Sequence, residues 1–112
     1  MIILSLVERD PGEVRRVLMS PPDGADAIEV RLDFLKRREP SEWFPGPAIC
    51  PRPVIATCRL RADGGEFRGS ERARRGALLA AARAGVAWID VEHGSALAGS
   101  LEEFAPAKVI LS

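Results

Sequence analysis

The sequence predicts an α/β fold in which parallel strands alternate with helices. Short apolar segments typical of buried strands recur along the 112 residues, and segments with helix caps or amphipathic spacing separate them. Such alternation is typical of parallel strands joined by right-handed crossovers. The length suits one domain, and no repeat or linker divides it. We therefore expect residues 1–112 to form a single unit with about five parallel strands.

The first part of the chain predicts two strands and a helix between them. Residues 2–7 are almost continuously apolar, which is typical of a strand covered on both faces. Asp10 can cap a helix, Pro11 suits the first helical position, and Glu13 would complete a capping box. The second strand is expected over residues 27–33, after a proline-rich stop and a turn.

The later part predicts three more strands. Residues 36–52 are rich in proline and allow a single helical turn around residues 41–44. Ser70 is expected to cap a helix over residues 71–84, and Gly85 to end it. Further strands are predicted at residues 53–59, 88–92 and 108–112. A last helix is indicated by Leu97, Leu101 and Phe104.

Charge and composition exclude several classes of function. Sixteen basic and sixteen acidic residues cancel, so no net basic field favours nucleic acid or an anionic membrane. No apolar run approaches the roughly 18 residues of a membrane span. The N-terminus lacks the basic start of a signal peptide, and we expect a cytoplasmic protein. Cys50 and Cys58 form neither a disulfide framework nor a metal motif, and the single His93 is out of phase with the polar strand positions, so no metal site is predicted.

Polar side chains recur near the carboxyl ends of the predicted strands. At a spacing of two they share one face of each strand. They are Ser5, Glu29, Arg31, Asp33, Thr57, Arg59, Asp90, Glu92 and Ser112. Ligands of parallel α/β folds bind at this end. Arginine binds carboxylates in a fork and carboxylates accept hydroxyl hydrogens, so the set predicts a site for an anionic, polyhydroxylated small molecule. A structural ion-pair network or a solvated strand face explains the same pattern.

Five segments, in their order and spacing, resemble type I 3-dehydroquinate dehydratase. They are residues 3–6, 29–33, 54–66, 88–92 and 108–112. The resemblance implies a (β/α)8 TIM barrel, of which residues 1–112 would be the N-terminal half, β1 to β5, without a second domain. It also implies a lyase of the shikimate pathway, which converts 3-dehydroquinate to 3-dehydroshikimate and water in aromatic amino acid biosynthesis. In that reaction a lysine forms an imine with the substrate and a histidine moves the proton, without a cofactor.

The resemblance further implies roles for individual residues. Substrate-binding positions would be Ser5, Glu29, Arg31 and Arg59. Supporting carboxylates would be Asp33, Asp63, Asp90 and Glu92. Lys36, Lys108 and His93 do not match the family's imine-forming lysine or its histidine, so we expect no catalytic residue in this chain. Alone, the chain would then be an inactive, truncated dehydratase.

Three interpretations remain open from the sequence. The first is a truncated dehydratase, completed by a second chain or belonging to a longer protein fused to shikimate dehydrogenase. The second is a non-catalytic half-barrel that assembles with a second half, either another copy in a homodimer or a different chain. The third is a flavodoxin-like α/β sheet, although the short connection between the second and third strands disfavours it.

Overall fold

A computed structural model, which describes residues 1–99 and 101–112, contains five parallel strands in one sheet. The strands are β1 (Ile3–Leu6), β2 (Ala27–Arg31), β3 (Val54–Thr57), β4 (Trp88–Val91) and β5 (Lys108–Leu111). Each strand after β1 pairs with the one before it in the sequence. A doubly wound sheet reverses its strand order at a switch point. The flavodoxin-like interpretation is therefore wrong, and the consecutive order is that of a partial (β/α) barrel.

Within the described ranges, three helices and several short 3-10 turns connect the strands. The helices are α1 (Pro11–Met19), α2 (Pro40–Trp43) and α3 (Glu71–Ala84). The helix predicted from Leu97, Leu101 and Phe104 is not an α-helix in the described residues, where the structure has 3-10 turns over Ala96–Gly99 and Leu101–Phe104. A glycine at position 99 lowers helix propensity. The two turns suffice to bury both Leu97 and Phe104.

The helix ends follow local hydrogen bonding. The side chain of Asp10 accepts a bond from the Gly12 N–H at 2.9 Å, and Pro11 takes the first helical position as predicted. The predicted capping box is wrong, because Glu13 accepts a bond from Arg16 Nε at 2.8 Å and does not reach back to the cap. Ser70 caps α3 as predicted.

The apolar core lies between the sheet and the helices. Strand residues that point away from the polar face pack against α1, α2 and α3. The fully buried members with the largest side chains include Trp43, Phe104, Leu18, Ile28, Leu78 and Ile89. Burying a side chain of this size contributes about 1.5–3 kcal/mol. This core fixes the strands so that their carboxyl ends come together at one edge of the sheet.

Strand β1 differs from the sequence prediction. Ile3 is 47% exposed and Val7 is 53% exposed, so the segment is not covered on both faces. The reason is that β1 pairs on one side only, with β2, in the described part of the chain. Leu111 of β5, at the other end of the sheet, is also half exposed. Among the described residues, no helix is long and apolar enough to cross a bilayer.

Candidate functional site

Glu29 forms the centre of a hydroxyl-lined group at the carboxyl ends of β1–β3. Its Oε1 accepts a hydrogen bond from Ser5 Oγ at 2.6 Å, and its Oε2 accepts one from Thr57 Oγ1 at 2.7 Å. Ser5 of β1 and Glu29 of β2 lie opposite each other in the adjacent strands, which brings their side chains together. Ser5 is exposed and Glu29 is half buried. This carboxylate is therefore oriented by hydroxyl groups while one face of the group stays open to a ligand.

Arg59 is held by two carboxylates, one from β4 and one from the residue just after that strand. Its Nη2 donates to Asp90 Oδ2 at 2.7 Å, and its Nη1 donates to Glu92 Oε1 at 2.8 Å. Nη1 also lies 3.3 Å from Ser112 Oγ. The Arg59 side chain is 22% exposed. A guanidinium fixed in this way points in one direction and still reaches solvent, which suits recognition of an anionic or hydroxylated ligand.

The second oxygen of Asp90 has a different environment. Oδ1 is buried and, among the described residues, forms no hydrogen bond. A buried acceptor without a donor costs about 1–3 kcal/mol. A donor from a ligand or from further polypeptide would remove that cost.

Arg31 and Asp33 form a third group, which differs in detail from the prediction. Strand β2 ends at Arg31 and is followed by a turn, in which the Phe34 N–H donates a hydrogen bond to the Arg31 carbonyl. Asp33 lies in this turn and therefore outside the strand. The two side chains form a bidentate pair of 3.0 and 2.8 Å, and this bond raises the pKa of Arg31. Asp33, whose side chain is fully buried, also accepts the Glu66 N–H at 3.0 Å. Asp33 thus joins β2 to the loop after β3.

That loop passes unusually close to Arg59. The Gly65 N–H donates to the Leu60 carbonyl at 2.9 Å, and the Phe67 N–H donates to the Arg59 carbonyl at 3.1 Å. A Cβ atom on Gly65 would lie 2.1 Å from the Arg59 carbonyl oxygen. Glycine is therefore required here by close approach of two backbone segments. Asp63 is exposed in the preceding 3-10 turn, and it has no hydrogen bond to the polar groups in the described chain.

The other candidate groups lie apart from these side chains. Lys36 is exposed in the loop after β2. Lys108 begins β5 at the opposite end of the sheet, with its ammonium 5.5 Å from the centre of the Trp88 ring. His93 is exposed, and its backbone N–H bonds to the Ser112 carbonyl at 2.7 Å. Burial raises the pKa of the Cys58 thiol to about 12, which makes it inert as a nucleophile.

One buried charged residue was not found by sequence reasoning. Arg74 on α3 is fully buried and donates to Glu92 Oε2 at 2.6 Å. It lies in a run of charged residues that is typical of a solvated helix face. The helical spacing of Arg74 from Leu78 and Ala81 could have predicted its burial, because the three residues share the inward face of α3.

A groove lies beside the polar groups, and its walls are formed by α3 and the loop after β2. It measures about 770 Å³ and reaches Asp33 and Glu66. The face that carries Glu29 and Arg59 is open, because the wall of the partial barrel does not surround it. In the described ranges 1–99 and 101–112, no group of three or more histidine, cysteine or acidic side chains could hold a metal ion.

Comparison with known proteins agrees with this arrangement. The family model described as Type I 3-dehydroquinase matches residues 2–112. A 3-dehydroquinate dehydratase from Dehalococcoides mccartyi (strain ATCC BAA-2266 / KCTC 15142 / 195) is 41% identical over 73 residues, which cover 65% of this chain and 31% of that protein. The chain spans less than half the length of the curated relatives it matches.

Two solved structures have the same fold. The dehydroquinate dehydratase and shikimate dehydrogenase from S. pombe superposes with a TM-score of 0.75 at 26% identity, over 98% of this chain and 24% of that one. The type I 3-dehydroquinate dehydratase from Clostridium difficile, with covalently modified comenic acid, gives a TM-score of 0.70 at 22% identity, over 98% of this chain and 49% of that one. With a family match across nearly every residue and a sheet that superposes on these structures, the chain belongs to the type I 3-dehydroquinase family.

Proposed function

We propose that these 112 residues form the substrate-binding part of a type I 3-dehydroquinate dehydratase, a lyase that converts 3-dehydroquinate to 3-dehydroshikimate and water. The observation that carries the proposal is the arrangement on one sheet face of an oriented carboxylate, Glu29, and a fixed guanidinium, Arg59. Family membership supports the choice of substrate. In this proposal residues 1–112 are one partial-barrel domain.

The proposed contacts divide by chemistry. Glu29 accepts hydrogen bonds from substrate hydroxyls, and Ser5 supplies a hydroxyl that can donate or accept. Arg31 and Arg59 supply cationic donors. The carboxylates of Asp33, Asp90 and Glu92 keep those two guanidinium groups in place, and Asp63 lies on the adjoining loop. Part of the binding free energy is then available to orient the substrate for reaction.

We propose that the imine-forming lysine and the proton-transferring histidine belong to polypeptide other than these 112 residues. The exposed position of Lys36 and the location of Lys108 at the far end of β5 support this view. The imine of such a lysine withdraws electrons from the substrate and eases removal of the neighbouring proton. The unpaired Oδ1 of Asp90 supports a donor arriving from outside the described residues.

Titration of the purified chain with 3-dehydroquinate, followed by NMR, tests the binding step. We expect the amide signals of β1–β4 to shift, and Glu29→Gln to weaken binding at least about tenfold, since a charge-assisted hydrogen bond contributes roughly 1.5–3 kcal/mol. Glu102→Gln, on an exposed residue of the 3-10 turn Leu101–Phe104, is the matched control. Equal affinity of the two variants would exclude the assigned role of Glu29.

Borohydride trapping tests whether the imine-forming lysine belongs to polypeptide other than these 112 residues. With 3-dehydroquinate and borohydride, we expect no covalent adduct on the chain alone, and an adduct on the added segment when the remainder of the Dehalococcoides mccartyi relative is supplied. Dehydration should appear in the second mixture only. An adduct on Lys36 or Lys108 would contradict the proposal, and peptide mass mapping distinguishes these sites.

The exposed outer edges of β1 and β5 favour completion of the barrel by further strands. A family barrel has eight strands. A second copy of the five-stranded sheet would give ten, whereas a segment with three strands would give eight. We therefore propose completion by a three-stranded segment in preference to a homodimer. Sedimentation of the chain with the remainder of a relative should give a one-to-one complex, and a stable dimer of the chain alone would favour self-assembly.

A further inference from the structure

Arg74 is a fully buried arginine that lies behind the proposed binding face. It projects from the first turns of α3, and its guanidinium has partners on both sides. Nε and Nη2 donate to the two carboxylate oxygens of Glu71 at 2.9 and 3.1 Å. Nη1 donates to Glu92 Oε2 at 2.6 Å and to the Cys58 carbonyl at 2.9 Å. The group is thus held rigidly between the helix and the sheet.

The contacts of Arg74 converge on Arg59. Glu92 is shared, because its Oε2 accepts from Arg74 while its Oε1 accepts from Arg59 at 2.8 Å. The Cys58 carbonyl belongs to the peptide unit that precedes Arg59. Arg74 therefore fixes both a carboxylate that orients the Arg59 side chain and the backbone from which that side chain projects.

The charge of Arg74 is maintained despite its burial. Burial alone would lower the pKa of the Arg74 guanidinium, but the hydrogen bonds that it donates to Glu71 and Glu92, together with their negative charges, outweigh this effect and raise the pKa. Removing either partner from a buried ion pair leaves an uncompensated charge. Without Arg74, Glu92 would lose the hydrogen bond to its Oε2, and either of its oxygens could then accept from Arg59. The Arg59 guanidinium would therefore have more than one orientation.

We propose that Arg74 is a positioning residue for substrate recognition, which acts through Glu92 to set the direction of the Arg59 guanidinium. This inference rests on the proposed function, because it assumes that Arg59 contacts the substrate. It adds a residue on a helix, outside the polar strand positions, to the groups that determine affinity. A displacement of about 1 Å in a positioned group can cost up to about a hundredfold in rate, so the effect of losing the anchor should be measurable.

The test uses the purified 112-residue chain with 3-dehydroquinate as the probe. Arg74→Met keeps much of the buried volume and removes the charge, and Arg72→Met, on an exposed arginine of the same helix, is the matched control. We expect Arg74→Met to raise the dissociation constant about tenfold and to shift or broaden the Arg59 Nε–H NMR signal before ligand is added. We expect the control variant to change neither quantity.

A double-variant comparison separates positioning from a general loss of structure. If Arg74 acts through Glu92, the combined Arg74→Met and Glu92→Gln variant should bind no more than about twofold more weakly than Glu92→Gln alone. This comparison remains valid if the single Arg74→Met variant does not fold, because the double variant leaves no unpaired charge on the largely buried Glu92, while Glu71, the other partner of Arg74, reaches solvent. A much larger additional loss in the double variant would overturn the inference.

Failure of this inference can be told apart from failure of the proposed function. If Arg59→Met leaves the affinity for 3-dehydroquinate unchanged, then Arg59 does not contact the substrate and the proposed function is wrong in this respect. If Arg59→Met weakens binding and a folded Arg74→Met variant binds like the unmodified chain, the positioning role is refuted while the binding site stands.

Discussion

Replacement of Gly65 by alanine should destabilise the loop that supports Arg59. The added Cβ atom would lie 2.1 Å from the Arg59 carbonyl oxygen and 2.5 Å from the Arg59 Cβ. Contacts of a Cβ atom below 3.0 Å are essentially never seen, so the two backbone segments must separate by about 1 Å. Neither segment is a flexible side-chain end that could move aside.

Two contributions determine how much Gly65→Ala lowers the free energy of unfolding. Overpacking of a tight contact costs about 1–3 kcal/mol. Separation of the segments also strains the hydrogen bonds from the Gly65 N–H to the Leu60 carbonyl and from the Phe67 N–H to the Arg59 carbonyl, each of which contributes about 0.5–1.5 kcal/mol. We therefore expect Gly65→Ala to lower the free energy of unfolding by about 2–4 kcal/mol.

Urea unfolding, followed by circular dichroism, measures this change. Gly76→Ala is the matched control, because a Cβ atom on Gly76 would meet nothing within 4 Å and the residue lies inside α3. That variant should stabilise the chain by about 0.5–1 kcal/mol, since alanine is the better helix former. A Gly65→Ala variant as stable as the unmodified chain would refute the reasoning from close approach.

Two further predictions concern buried polar groups. Arg31→Leu should destabilise the chain by about 2–4 kcal/mol in urea, because Asp33 remains as a buried charge, whereas Arg37→Leu in the exposed Arg37–Glu42 pair should change stability by less than about 1 kcal/mol. A stability gain in Arg31→Leu would instead indicate an ion-pair network without a binding role. The pKa of Cys58 rises from 9.0 to about 12 on folding, so the folded chain retains the thiol proton to higher pH than the unfolded chain does. Stability should therefore fall between about pH 9 and 12 by up to about 1.4 kcal/mol per pH unit. Cys58→Ala should remove this part of the slope, and equal slopes would contradict the assignment.

The sequence was sufficient where local chemistry decides the structure. The caps Asp10 and Ser70 mark helix starts correctly, because each satisfies free N–H groups of its own helix. The spacing of two predicted that Arg59, Asp90 and Glu92 lie on the polar faces of their strands, and the structure joins their side chains. In these cases the information lies within a few residues or in a simple periodicity.

Features that depend on distant neighbours were not predictable in the same way. The burial of Arg74 depends on Glu92, which lies 18 residues further along the chain. The exposure of Ile3 depends on which strands lie beside β1, and a run of apolar residues carries no information about that. Glu13 had two possible partners, the cap and Arg16, and both suit its position in the first turn.

The consecutive order of the strands has a consequence for how the chain folds. The side-chain hydrogen bonds that join successive strands connect residues 24, 28 and 31 positions apart. Each strand therefore pairs with the strand that the ribosome synthesised just before it. The entropy of closing each such loop is similar, because it depends only weakly on length. The sheet can then extend one strand at a time during synthesis, at about 5–20 residues per second. Every intermediate on this route presents one newly formed edge with free hydrogen-bonding groups, and the next strand to emerge competes with aggregation for that edge.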